Sequence, residues 1–232
     1  MLDISKIKAV SLDLDDTLWP IWPVIERAEE ALAAWLRSHA PATAQVFADA
    51  PERLRIREHV VASRPDLGHN MSALRLEVIR HALARCGEDL ALAPVAFDVF
   101  FDARMKVDLY DDALPALEFL AARFPLVALS NGNADVHRVG IGHFFHSSVS
   151  AHEFGVGKPD PRIFHAAAQS VGYSAGEVLH IGDDSTLDVQ GALTVGMQTV
   201  WVNRKREDWP HAGRPHLTVT SLAQVVAALQ RV

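Results

Sequence analysis

At 232 residues the chain is long enough for one substantial core with a sizeable insertion and short of two full domains. Apolar residues make up 49% and charged residues 22%, which excludes a disordered composition and predicts a chain that folds by itself. Its 22 basic and 29 acidic side chains leave a formal charge of -7, so no broad cationic surface awaits a polyanion and nucleic acid is not an expected partner. A small phosphorylated molecule stays compatible, because a few local cations, a metal ion and backbone amides bind phosphate whatever the net charge. The first residues lack the basic-then-apolar pattern of a secretory leader, and no uninterrupted apolar run reaches bilayer length. With Cys86 as the single cysteine, no intrachain disulfide is expected. The expected setting is reducing and cytoplasmic, without membrane association, and Cys86, at the end of an apolar helical stripe, reads as a buried thiol. Nothing in the sequence speaks to oligomeric state.

Residues 7–15 are almost continuously apolar up to Asp13, the pattern of a strand buried on both faces of a parallel sheet. From Trp19 to about Asp108 the pattern changes. No strand appears there, and three or four amphipathic helices are expected, with Ile25, Ala28, Leu32, Trp35 and Leu36 on one stripe and Leu76, Ile79, Leu83 and Cys86 on another. Pro51 is placed to open a helix between them. Beyond the insertion, apolar runs at 126–130, 178–182 and 199–202 each end in polar or glycine-containing turns. Asp160-Pro161 starts a helix carrying Ile163, Phe164, Ala167 and Val171 on one face, with Gly172 as its stop, and Ser221 with Gln224 has capping-box spacing before the last apolar stripe. Alternating strands and helices predict a parallel sheet covered by helices on both faces, with ligands at the carboxyl ends of the strands. An all-helical insertion leaving just after the first strand would stand over those ends as a lid.

Chemistry concentrates at the same strand ends. Asp13-Leu14-Asp15-Asp16-Thr17-Leu18 crowds three carboxylates after a buried strand, which is unfavourable unless a cation or hydrogen-bond donors compensate. A hard oxygen-seeking ion such as Mg2+ suits such a set, since it takes one or two carboxylates and completes its shell with water or phosphate oxygens. Taken alone, the motif also reads as a solvated Asp-rich turn. Ser130-Asn131-Gly132-Asn133 offers a hydroxyl, an amide and backbone N–H groups to a phosphate, although singly it is an ordinary turn. Lys158, in Gly157-Lys158-Pro159-Asp160, is a point charge ahead of a helix start, and a lone loop lysine is usually just solvated. Gly182-Asp183-Asp184-Ser185-Thr186-Leu187-Asp188 adds further acids, which read equally well as a helix N-cap. Trp19 and Trp22 flank Pro20 and Pro23 and read either as a stiff hinge packed by aromatics or as an apolar wall above a phosphate site. None of the twelve histidines shows zinc-ligand spacing, and His143 and His146 read as ordinary surface or core residues.

Together DLDDTL, SNGN, GKPDPRIF and GDDSTLDVQGA resemble, in order, the four motifs of haloacid dehalogenase-like hydrolases. The helical insertion falls where that superfamily carries its type-one cap. The resemblance implies a Rossmann-like doubly wound α/β core (1–18 and 109–232) with an inserted helical cap (19–108), and a phosphatase dependent on Mg2+. It makes Asp13 the nucleophile that attacks phosphorus, and Asp15 the acid that protonates the leaving oxygen and then the base that activates water. Metal ligands would be the Asp13 carboxylate, the Asp15 backbone carbonyl and Asp183, with Asp188 supporting the metal shell and Asp184 acting through water. Ser130 and the N–H groups around Asn131 and Gly132 would hold phosphate oxygens, and Lys158 would stabilise the charge shared by Asp13 and phosphate. Trp19, Arg75 and Lys106 are further expected contacts to substrate. LDDTLWPIWPVIERAEEAL and SNGNADVHRVGIGHFF also resemble a bacterial subgroup acting on flavin mononucleotide and ribitylamino-uracil phosphate. Other readings are a broad sugar-phosphate or nucleotide phosphatase, a dehalogenase, for which Asp15 has no obvious use, and a non-enzymatic phospho-acceptor switch, which needs neither Asp15 nor a cap.

Overall fold

The computed structural model describes residues 1–230. The chain divides into two compact units, Met1–Pro20 together with the chain from Asp108 onward, and Ile21–Val107. The first is built on six strands: β1 (Ala9–Leu12), β2 (Leu126–Ser130), β3 (Ser147–Ser150), β4 (Val178–Gly182), β5 (Gln198–Val202) and β6 (Leu217–Val219). They pair in parallel throughout, in the order β3-β2-β1-β4-β5-β6. β1, β2, β4 and β5 are buried at every position, which explains their mainly apolar sequence, interrupted in the strand interiors only at Ser11, His180 and Thr199. Because β1 lies between β2 and β4, the winding reverses there, and the carboxyl ends of these three strands open side by side. The fold is thus an α/β, Rossmann-like sheet flanked by helices.

Two expectations about strands need correction. β1 ends at Leu12 rather than running to 15. Asp13 donates its backbone N–H to the Ile181 carbonyl (2.9 Å), after which Asp15 bridges to Trp19 and Asp16 turns through a left-handed φ of 59°. The edge strands β3 and β6 were not expected, since they are short and half-exposed, and Ser-Ser-Val-Ser lacks the apolar run that marks a central strand.

The helical unit holds α1 (Ile21–His39), α2 (Pro41–Ala48), α3 (Ala50–Ser63), α4 (Met71–Cys86) and α5 (Leu92–Arg104), five helices where three or four were expected. The extra division comes at prolines: Ala40 breaks before Pro41, and Asp49 is extended ahead of Ala50-Pro51. Asn70 caps α4 by accepting from the Ala73 N–H, and Gly87 closes it at a left-handed φ of 68°. Leu32, Leu36, Ile79, Leu83, Ala96 and Phe100 share one apolar core. Cys86, the last residue of α4, is partly exposed rather than buried.

The sheet unit continues with α6 (Ala113–Ala121), α7 (Val136–Val139), α8 (Ala151–Phe154), α9 (Pro161–Ser170), α10 (Gly191–Thr194) and α11 (Leu222–Leu229). Ile163, Phe164 and Ala167 of α9 pack on Ala9, Val127, Leu129 and Val178 of the sheet. At α11 only half the expected capping box forms: Ser221 accepts from the Gln224 N–H, while Gln224 reaches back to the N–H of Thr220. Among the described residues no helix is long and apolar enough to cross a membrane.

Candidate active site

The register of the sheet sets the site. Leu12 lies beside Ala128 of β2 and Ile181 of β4, so Asp13, Ser130 and Asp183 leave three neighbouring strands at nearly one level. Each begins a polar turn whose side chains meet those of the next.

Lys158 enters from the loop before α9. Its backbone is fixed by Asn131, whose amide donates to the Lys158 carbonyl (2.8 Å) and accepts from the Lys158 N–H (2.7 Å). This approach requires Gly157, where a Cβ would fall 2.6 Å from Asn131 Oδ1. The Lys158 side chain, only 2% exposed, then donates to Asp13 Oδ1 and Asp188 Oδ1, both at 2.5 Å. Asp188 lies in the single wide turn Ser185–Gln190. Its Oδ1 faces both Lys158 and His180 Nε2 (3.2 Å), and its Oδ2 accepts from the Asp184 N–H (3.0 Å). Gly182 leaves room for it: a Cβ there would lie 2.3 Å from Asp188 Cγ.

Carboxylate oxygens of Asp13, Asp183 and Asp188 lie within 4.8 Å of one another, a group able to hold a metal ion. Their titration follows from one buried ammonium serving several acids. Burial raises the pKa of Asp13, and Asp188 and Asp183 add to this against the pull of Lys158, leaving it well above the usual carboxylate range. Burial, then Asp188 and Asp16, push Asp183 up to about 7. Asp188 is also buried, but Lys158 and then His180 outweigh that and hold it below the usual range, so Asp188 carries the settled negative charge. Burial disfavours the charge of Lys158, yet Asp13 and Asp188 prevail and its pKa is raised. Burial also lowers the pKa of His180, which favours its neutral form. Asp13 and Asp183 thus resist ionising with Lys158 as their one buried counter-charge, and a donor set that ionises fully only beside a further cation fits an added divalent ion.

Asp15 accepts a hydrogen bond from the Trp19 indole N–H (2.8 Å) through Oδ1, while its Oδ2 lies where a Cβ on Gly132 would be, 2.5 Å away. Gly132 also donates its N–H to Ser130 Oγ (2.9 Å), leaving the Ser130 hydroxyl proton to point elsewhere. The first two motifs therefore touch directly. Thr17 donates to Asp183 (3.3 Å), and the Trp201 indole donates to the Asp183 carbonyl (2.7 Å).

Several predicted side chains have other duties. Trp19 is fully buried, which leaves no ring face for an apolar wall; its polar edge orients Asp15 instead. Asp184 spends its carboxylate on the N–H groups of Thr186 and Leu187 as a cap. Arg75 is engaged within the helical unit, paired with Glu29 at 2.6 Å and lying 4.2 Å over the Phe100 ring. Lys106 is exposed, and its carbonyl accepts from Arg27 (2.7 Å). Sequence reasoning missed His180 and Ser11, because a single polar residue inside an apolar strand carries no signal until its cross-strand partner is known.

A model of the haloacid dehalogenase-like hydrolases matches residues 7–196. The chain is 32% identical to the 5-amino-6-(5-phospho-D-ribitylamino)uracil phosphatase YigB of Escherichia coli (strain K12), over 97% of this chain and 98% of that protein. It is also 32% identical to a phosphoserine phosphatase of Thermus thermophilus, covering 96% and 99% respectively. A crystal structure described as 2-haloacid dehalogenase from Pseudomonas syringae pv. tomato DC3000 superposes with a TM-score of 0.91 at 37% identity, covering 97% of this chain and 99% of that one. The chain belongs to the haloacid dehalogenase-like hydrolases, and its place among them is with the phosphatases.

Proposed function

We infer that the protein hydrolyses a small phosphate monoester through a phosphoaspartyl intermediate on Asp13. The observation that carries this reading is the buried Lys158 ammonium joining Asp13 and Asp188 beside Asp183, with a second acid, Asp15, two residues beyond the nucleophile. An Asp13 carboxylate oxygen attacks phosphorus, the bond from phosphorus to the ester oxygen breaks, and Asp15 in its acid form protonates that oxygen to release an alcohol. Asp15, now a carboxylate, takes a proton from water as that water attacks the phosphorus of the aspartyl phosphate, which frees inorganic phosphate and restores Asp13. Trp19 holds Asp15 in line for both transfers. Ser130 and the backbone N–H groups after it bind phosphate oxygens, and Lys158 offsets the charge they share with Asp13.

The residues suited to a magnesium ion are Asp13 and Asp183 through their carboxylates and Asp15 through its backbone carbonyl. Asp188, already facing three donors, supports the set from behind. Magnesium at this place would supply Lewis-acid neutralisation of phosphate charge. Rapid quenching with phosphate-labelled substrate tests the reaction: an acid-stable label that hydroxylamine removes, present in wild type and lost in Asp13→Asn, is expected. Steady turnover with no labelled protein at any time would overturn it.

For substrate, the similarity to YigB favours ribitylamino-uracil phosphate, and flavin mononucleotide, the other ester suggested by the sequence resemblance, carries the same ribityl phosphate. Leaving-group selectivity is assigned to the helical insertion, since the motif residues address only the phosphate common to all candidates. A panel of these two esters with hexose phosphates, phosphoglycolate, phosphoserine and nucleoside monophosphates decides. Ribityl phosphates ranking near the bottom would replace this assignment with a broad sugar-phosphate or nucleotide phosphatase. A second reading, dehalogenation, is favoured by the Pseudomonas syringae structure. Chloride release from 2-chloropropionate without added metal would establish it, and the phosphatase reading expects none.

A further inference from the structure

Ser11 and His180 are direct neighbours across the β1–β4 ladder, in the middle of the sheet. Both are completely buried, and Ser11 Oγ lies 2.8 Å from His180 Nδ1. The other ring nitrogen, Nε2, lies 3.2 Å from Asp188 Oδ1. Phe164 stands edge-on to the imidazole, ring centres 5.3 Å apart at 89°, and so limits its rotation. Folding alone does not require this pair. Two apolar side chains would fill the same sheet positions without any buried polar group to satisfy.

Asp188 accepts through both oxygens, from Lys158 on Oδ1 and from the Asp184 N–H on Oδ2, so the ring nitrogen facing Oδ1 is the donor and carries the proton. In the neutral ring, Nδ1 is then the acceptor, and the Ser11 hydroxyl donates to it. The chain of donors runs from Ser11 through His180 to Asp188, whose other contacts are Lys158 and the Asp184 N–H.

We propose that His180, held by Ser11 in its Nε2–H tautomer, is a positioning residue that fixes the Asp188 carboxylate and through it the Lys158 ammonium against Asp13. Without the imidazole, Asp188 keeps only Lys158 on Oδ1 and the Asp184 N–H on Oδ2, so the carboxylate turns more freely about its Cβ–Cγ bond. The ammonium follows it, and the 2.5 Å contact with Asp13 lengthens. Ground-state binding of the ester changes little, because His180 touches no phosphate-binding group, whereas charge stabilisation during transfer weakens.

The kinetic arm rests on the phosphatase reading above; the spectroscopic arm does not. Long-range proton–nitrogen correlation of the full-length protein, with and without Mg2+, is expected to place the His180 proton on Nε2 with Nδ1 as an unprotonated acceptor. A proton on Nδ1 with Nε2 bare would overturn the proposal, even for a protein that never hydrolyses a phosphate ester. In kinetics with p-nitrophenyl phosphate, His180→Leu is expected to lower kcat about 10- to 100-fold with KM changed less than about threefold, the range for residues that orient functional groups. His180→Gln, whose amide nitrogen reaches the Nε2 position, should recover most of the loss, whereas His180→Asn, one bond shorter, should not. This Gln–Asn pair preserves the test if the leucine variant does not fold. Equal kcat for His180→Gln and His180→Asn, or wild-type kcat in a folded His180→Leu protein, would overturn the proposal. Failure of the wild type itself to turn over would instead count against the phosphatase reading.

Discussion

The two units differ in how much charge their interiors hold, although the helical unit too buries a charged side chain, Arg104. The helical unit closes over aliphatic and aromatic side chains such as Leu32, Leu36, Ile79, Leu83 and Phe100. The sheet unit packs equally apolar layers but also encloses Asp13, Lys158, His180 and Asp188, each less than a tenth exposed. The difference shows what a parallel sheet supplies that a helical bundle of this size does not. Strand ends fixed by backbone ladders hold acids from distant parts of the chain at set distances, and their charges are tolerable because donors are built in. Stability and chemistry should therefore respond together where a substitution in the sheet unit strands or displaces a buried charge, and separately in the helical unit.

The sharpest break is Asp13→Asn. It keeps the side-chain volume and removes the nucleophile, so kcat should fall by at least about 10^4-fold with the fold retained, by steady-state assay and circular dichroism. Lys158→Met tests whether the ammonium is structural as well as catalytic. It strands two buried carboxylates and should lower the unfolding free energy by about 3–5 kcal/mol in urea titrations at neutral pH. That loss should shrink as pH falls and the acids take up protons; a pH-independent loss would mean that the lysine acts only by packing.

In the helical unit, Leu83→Ala should cost about 2–5 kcal/mol of stability. Its kcat on p-nitrophenyl phosphate should remain within about threefold of wild type, because no group of the acid cluster lies in that unit. A comparable loss of kcat would erase the contrast between the units. Gly182→Ala forces Asp188 aside in the sheet unit and should combine about 1–3 kcal/mol of destabilisation with a measurable fall in kcat.

The smallest effect concerns Asp112. It receives both Arg204 guanidinium nitrogens (3.2 and 2.8 Å) and the Leu222 N–H (2.7 Å). Burial opposes its charge, but Arg204 outweighs it and its pKa is lowered. Its stabilisation is therefore complete above the unfolded carboxylate range and is lost as pH falls through the lower folded value. Asp112→Asn should cost about 1 kcal/mol or less near neutral pH, with the difference from wild type narrowing in acid. A constant difference across that acid range would show that the charge contributes nothing.

Much of this was legible in the sequence because its causes are local. A buried parallel strand reads as an apolar run, Asp160-Pro161 reads as a helix start, and four motifs in order identify the family and the turns that meet at the sheet's edge. Local pattern fails where a residue's surroundings come from far away in the chain. The polar edge strand β3 carries no core signature until it is paired with β2, and His180 has no readable role until Ser11 and Asp188 stand beside it.

By itself the sequence determined the α/β class, the helical insertion and the acids and lysine that gather at the strand ends, since periodicity, proline and glycine act over a few residues. Only the tertiary structure decided that Lys158 would reach Asp13 across 145 positions and Asp188 across 30, and that Ser11 would face His180 across 169. Such pairings depend on strand order and register, which fix distances between side chains that no local pattern of residues encodes.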